Sequence, residues 1–183
     1  MAKQTIPTTG LWSAIAGLIN SNFDETYEVN ICQVSITHPT PPVTIAVTGT
    51  GDQDLNPANG GFSTLFNKYE QAIFSGTAFT VLADGRVQVN RNGIVVVNGY
   101  ADISHTNNGT TVGAAFSIER GGSTVFSPRS VHARMPNAGN IGNLSGTGAV
   151  DAQVGDIIGL ALASDVTGTI SIRASSLVYE FKG

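Results

Sequence analysis

Apolar and polar positions alternate with a period of two through FTVLADGRVQVNRNGIVVVNGYADIS, residues 79–104. Phe79 and Val81 flank Thr80, and Val87 and Val89 alternate with Arg86, Gln88 and Asn90. Successive side chains of a strand point to opposite faces, so this pattern predicts half-buried strands. Asp84-Gly85 lies between the two runs and predicts a tight turn with positive φ at both positions. Asn92-Gly93 repeats the turn signal. Ile94 to Val97 then form a run suited to the middle of a sheet, and Asn98-Gly99 predicts a bulge in it.

The same grammar recurs on both sides of this stretch. Glu28 to Ile36 reads as a strand and Val43 to Val47 as a short edge strand, because Pro39, Pro41 and Pro42 exclude a central position. Thr48 to Gly61 is a long polar loop. Phe62 to Phe74 is ambiguous, since Phe62, Leu65, Phe66, Tyr69, Ala72 and Ile73 also fit a helical period. Asn107-Asn108-Gly109 and Gly121-Gly122 turn the chain on either side of TTVGAAFSIER. Pro128 to Gly148 is polar and rich in Gly and Asn. Beyond it Val150, Ala152 and Val154 alternate, Gly155-Asp156 turns, and Ile158, Leu160 and Leu162 return. Ile170, Ile172, Leu177, Tyr179 and Phe181 complete the pattern. Eight to ten strands with turns every ten or so residues predict an all-β antiparallel sandwich or barrel.

One segment breaks the pattern. In TTGLWSAIAGLINSNFDE the residues Leu11, Trp12, Ile15, Leu18 and Ile19 share an apolar stripe roughly 160° wide on a helix. Thr8 or Thr9 can cap its start, and Asn20-Ser21-Asn22 marks its end. A helix of about 12 residues is marginal alone in water, so it must dock. Its own domain, sister subunits or a larger particle are the candidate surfaces. The division that follows is an N-terminal helical anchor segment, 1–27, and a head domain, 28–183.

Composition narrows the function. The 183 residues suffice for one sizeable domain, with 12% charged residues, 41% hydrophobic residues and 22 glycines. The net charge of −4 and nine scattered basic residues argue against a nucleic-acid surface. A single cysteine, Cys32, excludes an internal disulfide framework and reads as a small core residue. No apolar run reaches membrane-spanning length, and no Sec-type leader is visible.

GTGAVDAQVGDIIGLALASDVTGTISIRASSLVYEF resembles the C-terminal half of the tumour-necrosis-factor-like (TNF-like) jelly roll, the globular head of complement and collagen-type proteins. Val154-Gly155-Asp156, the aliphatic run Ile157 to Leu162, Gly168 and Ser175-Ser176-Leu177 stand in that family's turn and strand positions. GRVQVNRNGIVVVNGYADIS resembles its central strands, with Val95 where the family typically has tyrosine, and FSIERGGSTVF resembles one of its hairpins. LWSAIAGLINSNFDE resembles segments near the starts of bacteriophage fibre and tail proteins. Together the resemblances imply an antiparallel jelly-roll β-sandwich that forms a homotrimer on a virion, a fibre or spike assembled in the host cytoplasm. The N-terminal segment would contact other virion proteins. The apolar character of both faces of IVVV and IIGLALA agrees with a subunit interface, because a two-sheet sandwich needs one inward face per strand.

Candidate chemistry lies in two long loops. Asp52, Asp54 and Asn56 suit sugar hydroxyls; they imitate a calcium loop, but Pro57 stands where such a loop needs Gly and no Glu closes it, so no metal is expected. Arg129, His132 and Arg134 suit an acidic glycan or a lipopolysaccharide phosphate. The chain has no Gly-x-Ser-x-Gly elbow and no phosphate loop, and His38, His105 and His132 lack metal-ligand spacing. Asp52/Asp54 and Asp84/Asp102 are the carboxylate pairs a glycosidase would require. The chain therefore reads as a non-enzymatic attachment protein without a cofactor. A capsid head-fibre or decoration protein is the alternative, and a glycan-cleaving spike the second.

Overall fold

A computed structural model describes residues 30–37, 39–57, 62, 64–66, 69, 71–127 and 130–182. The predicted anchor segment and Arg129 lie outside them. The described residues form two antiparallel sheets. One holds β1 (Ile31–Thr37), β2 (Val43–Val47), β4 (Gln71–Ser75), β7 (Gly93–His105), β11 (Gly142–Ala152) and β13 (Gly168–Lys182). The other holds β3 (Thr64–Phe66), β5 (Phe79–Val81), β6 (Val87–Val89), β8 (Thr110–Arg120), β9 (Ser123–Phe126), β10 (Val131–Met135) and β12 (Ile157–Ser164). The first is ordered β11-β7-β13-β1-β4 and the second β10-β8-β12-β6-β5.

The surplus of strands over the expected eight to ten has one cause: three rows are broken. β1 and β2 lie end to end along β13, with the prolines between them. β3 and β6 share the flank of β12, and β9 and β10 share the flank of β8. Each sheet then has five rows.

Local chemistry explains most turns. Gly121 and Gly122 both have positive φ and close a two-residue turn between Arg120 and Ser123. The Asp84-Gly85 turn differs from the prediction. Leu82 N–H donates to Arg86 O across a three-residue loop, and of the pair Gly85 alone has positive φ. The Asn98-Gly99 bulge is also absent, since both residues pair in step with β11 and β13. Gly99 serves packing instead: a Cβ there would lie 2.6 Å from Leu177 Cδ2. The register shift in this region falls on β13, between Ile172 and Ala174. Residues 62–74, which fit a helical period, contribute β3 and β4, because the flanks of β12 and β1 offer them backbone partners.

The core lies between the sheets. Val95, Val97, Ala101 and Ile103 of β7 meet Leu177, Tyr179 and Phe181 of β13 on one side and Ile158, Leu160 and Leu162 of β12 on the other. Cys32 is buried among them. Tyr179 Oη donates to Ile158 O across the sandwich at 3.2 Å, which satisfies a hydroxyl with no access to water.

A second, smaller core corrects the reading of IIGLALA. β8 and β12 are buried along almost their whole length. The outer face they share is covered by the chain itself, since Leu55 and Phe62 pack onto Ala115, Ala161 and Ala163. The alanines make room for the larger side chains, and a Cβ on Gly113 would stand 3.0 Å from Leu55 Cδ1. The outer face of β7 is left open: Ile94 is 42% exposed and Tyr100 40%. Hence one of the two apolar surpluses is used internally and one faces outward.

The strand directions give the sandwich two unlike ends. Loops 48–57, 106–109, 136–141 and 165–167 gather at one, where β13 begins. At the other, Phe181 N–H donates to Asn30 O at 2.8 Å, so the two extremities of the described chain lie side by side.

Candidate binding end of the sandwich

The loop end is held by backbone and short polar side chains. Thr50 N–H donates to Ser164 O and Gly51 N–H to Asp165 O, each at 2.9 Å, which ties loop 48–57 to the β12–β13 turn. Thr50 Oγ1 accepts from Asp52 N at 3.1 Å, and Asp52 Oδ1 accepts from Asp54 N at 2.9 Å. These are ordinary side-chain turns. Their effect is to aim Leu55 inward: it is 1% exposed although its φ is 42°, a left-handed conformation that a branched side chain rarely takes.

The two candidate segments of the sequence meet here, but the second is not a loop throughout. Val131–Met135 form β10 and β11 begins at Gly142, because the flanks of β8 and β7 offer them backbone partners. Arg134 Nη1 donates to Gln53 Oε1 at 3.3 Å, and Ser130 Oγ donates to Leu55 O at 2.9 Å. His132 and Arg134 alternate with Val131, Ala133 and Met135 on β10, so both side chains stand on the exposed face of an edge strand. Asp54 and Asn56 are exposed on the neighbouring loop, and Asp52 is half-buried. The arrangement offers acceptors, an imidazole and a guanidinium side by side, which suits a hydroxylated, anionic ligand.

The paired carboxylates behave as structural groups. Asp84 accepts from Arg86, which also bonds Glu119, and Asp102 accepts from Asn143 Nδ2 at 2.9 Å. Asp84 belongs to a turn of one sheet and Asp102 to a strand of the other. Among the described residues no group of three His, Cys, Asp or Glu side chains is placed to hold a metal ion.

His105, which no sequence motif marks, also belongs to this end. It is 2% exposed at the close of β7, its Nδ1 accepts from Asn107 N at 3.0 Å, and its Nε2 lies 3.5 Å from Ser164 Oγ. Burial holds its imidazole below the usual histidine range, against the pull of the Asp165 carboxylate. A lone histidine in IS-H-T carries no local signal of this role, which depends on a partner 59 residues away.

The opposite end is braced by charge. Arg120 Nε donates to Asp156 Oδ1 at 2.9 Å, and Asp156 Oδ2 accepts from Gln153 N at 2.8 Å. The Arg120 guanidinium, then burial acting the other way, set the Asp156 carboxyl below its ordinary range. This is the Gly-Asp turn noted in the sequence.

One flank carries a cleft of about 320 Å³ between the edge of β11 and the broken row of β9 and β10. Phe116, Val131, Leu144 and Leu160 line it, with Ser127 and Ser130 also in its wall. Phe116 explains the glycines nearby, since a Cβ on Gly148 would stand 2.7 Å from its ring.

No protein-family profile and no curated protein sequence matches the chain. Solved structures do. Eiger TNF from S. frugiperda superposes with a TM-score of 0.56 at 10% identity, covering 84% of this chain and 94% of that one. Murine APRIL does so with 0.51 at 13% identity, covering 82% and 99%. The globular domain of zebrafish complement 1qA covers 83% and 95%, at 10% identity and a TM-score of 0.49. At these identities the likeness to the first two is one of fold: the described chain is a TNF-like jelly-roll sandwich.

Proposed function

We propose that this protein is the trimeric head of a bacteriophage fibre or spike, which attaches the virion to its host through the loop end of the sandwich. The observation that carries this reading is the meeting of Arg134 with the Asp52–Asn56 loop on one rigid end. An extended set of basic side chains, carboxylates and amides recognises a surface glycan or a lipopolysaccharide phosphate better than it encloses a small substrate.

The open face of β7 supports the trimer. Ile94 and Tyr100, with half-buried Val96 and Val178 beside them, form an apolar strip on a sheet exterior. The cleft lies on the adjoining flank, and Tyr100 borders it. A face and an edge on neighbouring flanks of one body make a head-to-tail contact, which closes into a ring where the rotation between copies divides the circle. The N-terminal segment, with Leu11, Trp12, Ile15, Leu18 and Ile19, would join the head to other virion proteins.

The test has two parts. Sedimentation equilibrium at micromolar concentration should give a trimer, and Tyr100→Asp should shift it towards monomer. Particles carrying Arg129→Ala with Arg134→Ala should adsorb to host cells less well than the parent, with the loss largest at low salt. Unchanged adsorption by a trimer that melts normally would overturn the attachment reading in favour of a capsid decoration protein. Sugar released from host polysaccharide would favour a glycan-cleaving spike.

A further inference from the structure

His105 sits where four loops converge, and its hydrogen bonds permit only one protonation state. Nδ1 accepts the Asn107 N–H, so the neutral ring carries its proton on Nε2, facing Ser164 Oγ. A second proton has to go on Nδ1. It would then oppose the Asn107 N–H across 3.0 Å, donor against donor. The ring has little freedom to turn away, because the β13 backbone lies against it: a Cβ on Gly168 would stand 2.5 Å from His105 Cε1. The segment able to give way is the 106–109 turn.

That turn is the knot of the loop end. Gly139 N–H donates to His105 O at 2.9 Å and Gly109 N–H to Pro136 O at 3.1 Å, holding the β10–β11 loop. Ala138 N–H donates to Asn108 Oδ1 at 2.6 Å. Asn107 Nδ2 donates to Thr167 O at 2.8 Å, and Thr167 Oγ1 in turn accepts from Gly49 N at 2.8 Å. Displacing the turn therefore loosens the β10–β11 loop, the β12–β13 turn and the start of loop 48–57 together.

The surrounding charges are few. Asp165 of the β12–β13 turn is a carboxylate close enough to favour the imidazolium, but its Oδ1 is engaged by Thr111 N at 2.8 Å. Arg134 of β10 approaches the tip of the turn, its guanidinium 3.9 Å from where a Cβ on Gly109 would stand. Residues 47–51, 106–111, 136–140 and 168–170 contribute no charged side chain.

We propose that His105 is an acid-sensitive lock: taking a proton from solvent on Nδ1 drives the 106–109 turn off the ring and releases the loops that it ties together. The lock goes beyond the attachment reading and stands whatever the loops bind. An opened state exposes the imidazole, which then takes its proton with an ordinary affinity near pH 6.5, so each pH unit below that favours opening roughly tenfold until the closed state is protonated too.

Amide hydrogen exchange on the full chain, near pH 7.5 and near pH 5 and corrected for intrinsic rates, tests this. Protection across 105–109, 136–140 and 164–168 should fall by about thirtyfold at the lower pH. The end braced by Arg120 and Asp156 should hold. In His105→Asn, which keeps an acceptor for Asn107 but does not titrate, loop protection should be independent of pH. Equal protection at both values, or the same loss in His105→Asn, overturns the lock. Should that variant fail to fold, NMR of the parent decides. The Asn107 amide should titrate with the His105 ring; titration with His132 instead, or none, overturns the proposal.

Discussion

Leu55 gives the sharpest test of how the loop end is held. Its side chain is the plug of the second core, buried against Ala115, Ala161 and Ala163, yet its φ of 42° is one that side chains disfavour. Leu55→Ala removes buried carbon from a site that a surface loop can partly close over, which places the cost at the lower end of the usual range, about 2–3 kcal/mol. For a domain of this size that lowers Tm by about 4–12 °C. Leu55→Gly loses the same contacts and one methyl more, but glycine accepts the left-handed backbone freely, which offsets about 1 kcal/mol. The ordinary order of the two substitutions should thus be reversed, with Gly as stable as Ala or more so. Thermal melting of both variants by circular dichroism measures this. A Leu55→Ala protein that melts within a degree or two of the parent would refute the plug. A Gly variant clearly below Ala would refute the role of the backbone angle.

Three further outcomes follow from the same geometry. Asp156→Ala should lower Tm more than Asp156→Asn, since alanine leaves Arg120 and the Gln153 N–H without their acceptor. The Asp156 carboxyl is depressed in the fold, so its contribution is complete above the unfolded value near pH 4 and disappears as pH falls through the lower folded value; the deficit of Asp156→Asn should shrink over that acid range. Gly148→Val should cost about 1–3 kcal/mol in chemical denaturation, because even its Cβ meets the Phe116 ring at 2.7 Å, and pairing it with Phe116→Leu should recover part of the loss. The stability of the parent should decline as pH drops below about 6.5, since buried His105 resists the proton that the unfolded chain accepts, and His105→Asn should flatten that slope in melting curves.

The features legible in the sequence are those decided by neighbours along the chain. Gly121-Gly122 and Gly155-Asp156 turn where they should because positive φ is a local property. The alternation in β5, β6 and β7 shows as burial because the period of a strand is two. What escaped depends on distant partners. Residues 62–74 satisfy a helical period as well as two short strands, and the choice is made by β12 and β1. Gly99 looks like a bulge until Leu177 and Phe116 are seen in the space a side chain would take. Leu55 looks like an isolated apolar residue in a polar loop, and only the alanines of β8 and β12 reveal its place. The convergence of loop 48–57 with Arg134 spans 81 positions, beyond the reach of any local pattern.

The pairing of Asn30 with Phe181 has a mechanical consequence. β13 runs the full height of the sandwich, from the loop end at Gly168 to Lys182 beside Asn30. At the rise of an extended strand, its 15 residues separate the loops from the chain's points of entry and exit by about 50 Å. Whatever is joined before residue 30 therefore pulls on the pole opposite the loops. Tension between the two extremities of the described chain is borne by the backbone ladder of β1 and β13, at the pole away from the loops. The sandwich can be fused to a new carrier at this pole without altering the loops at the other.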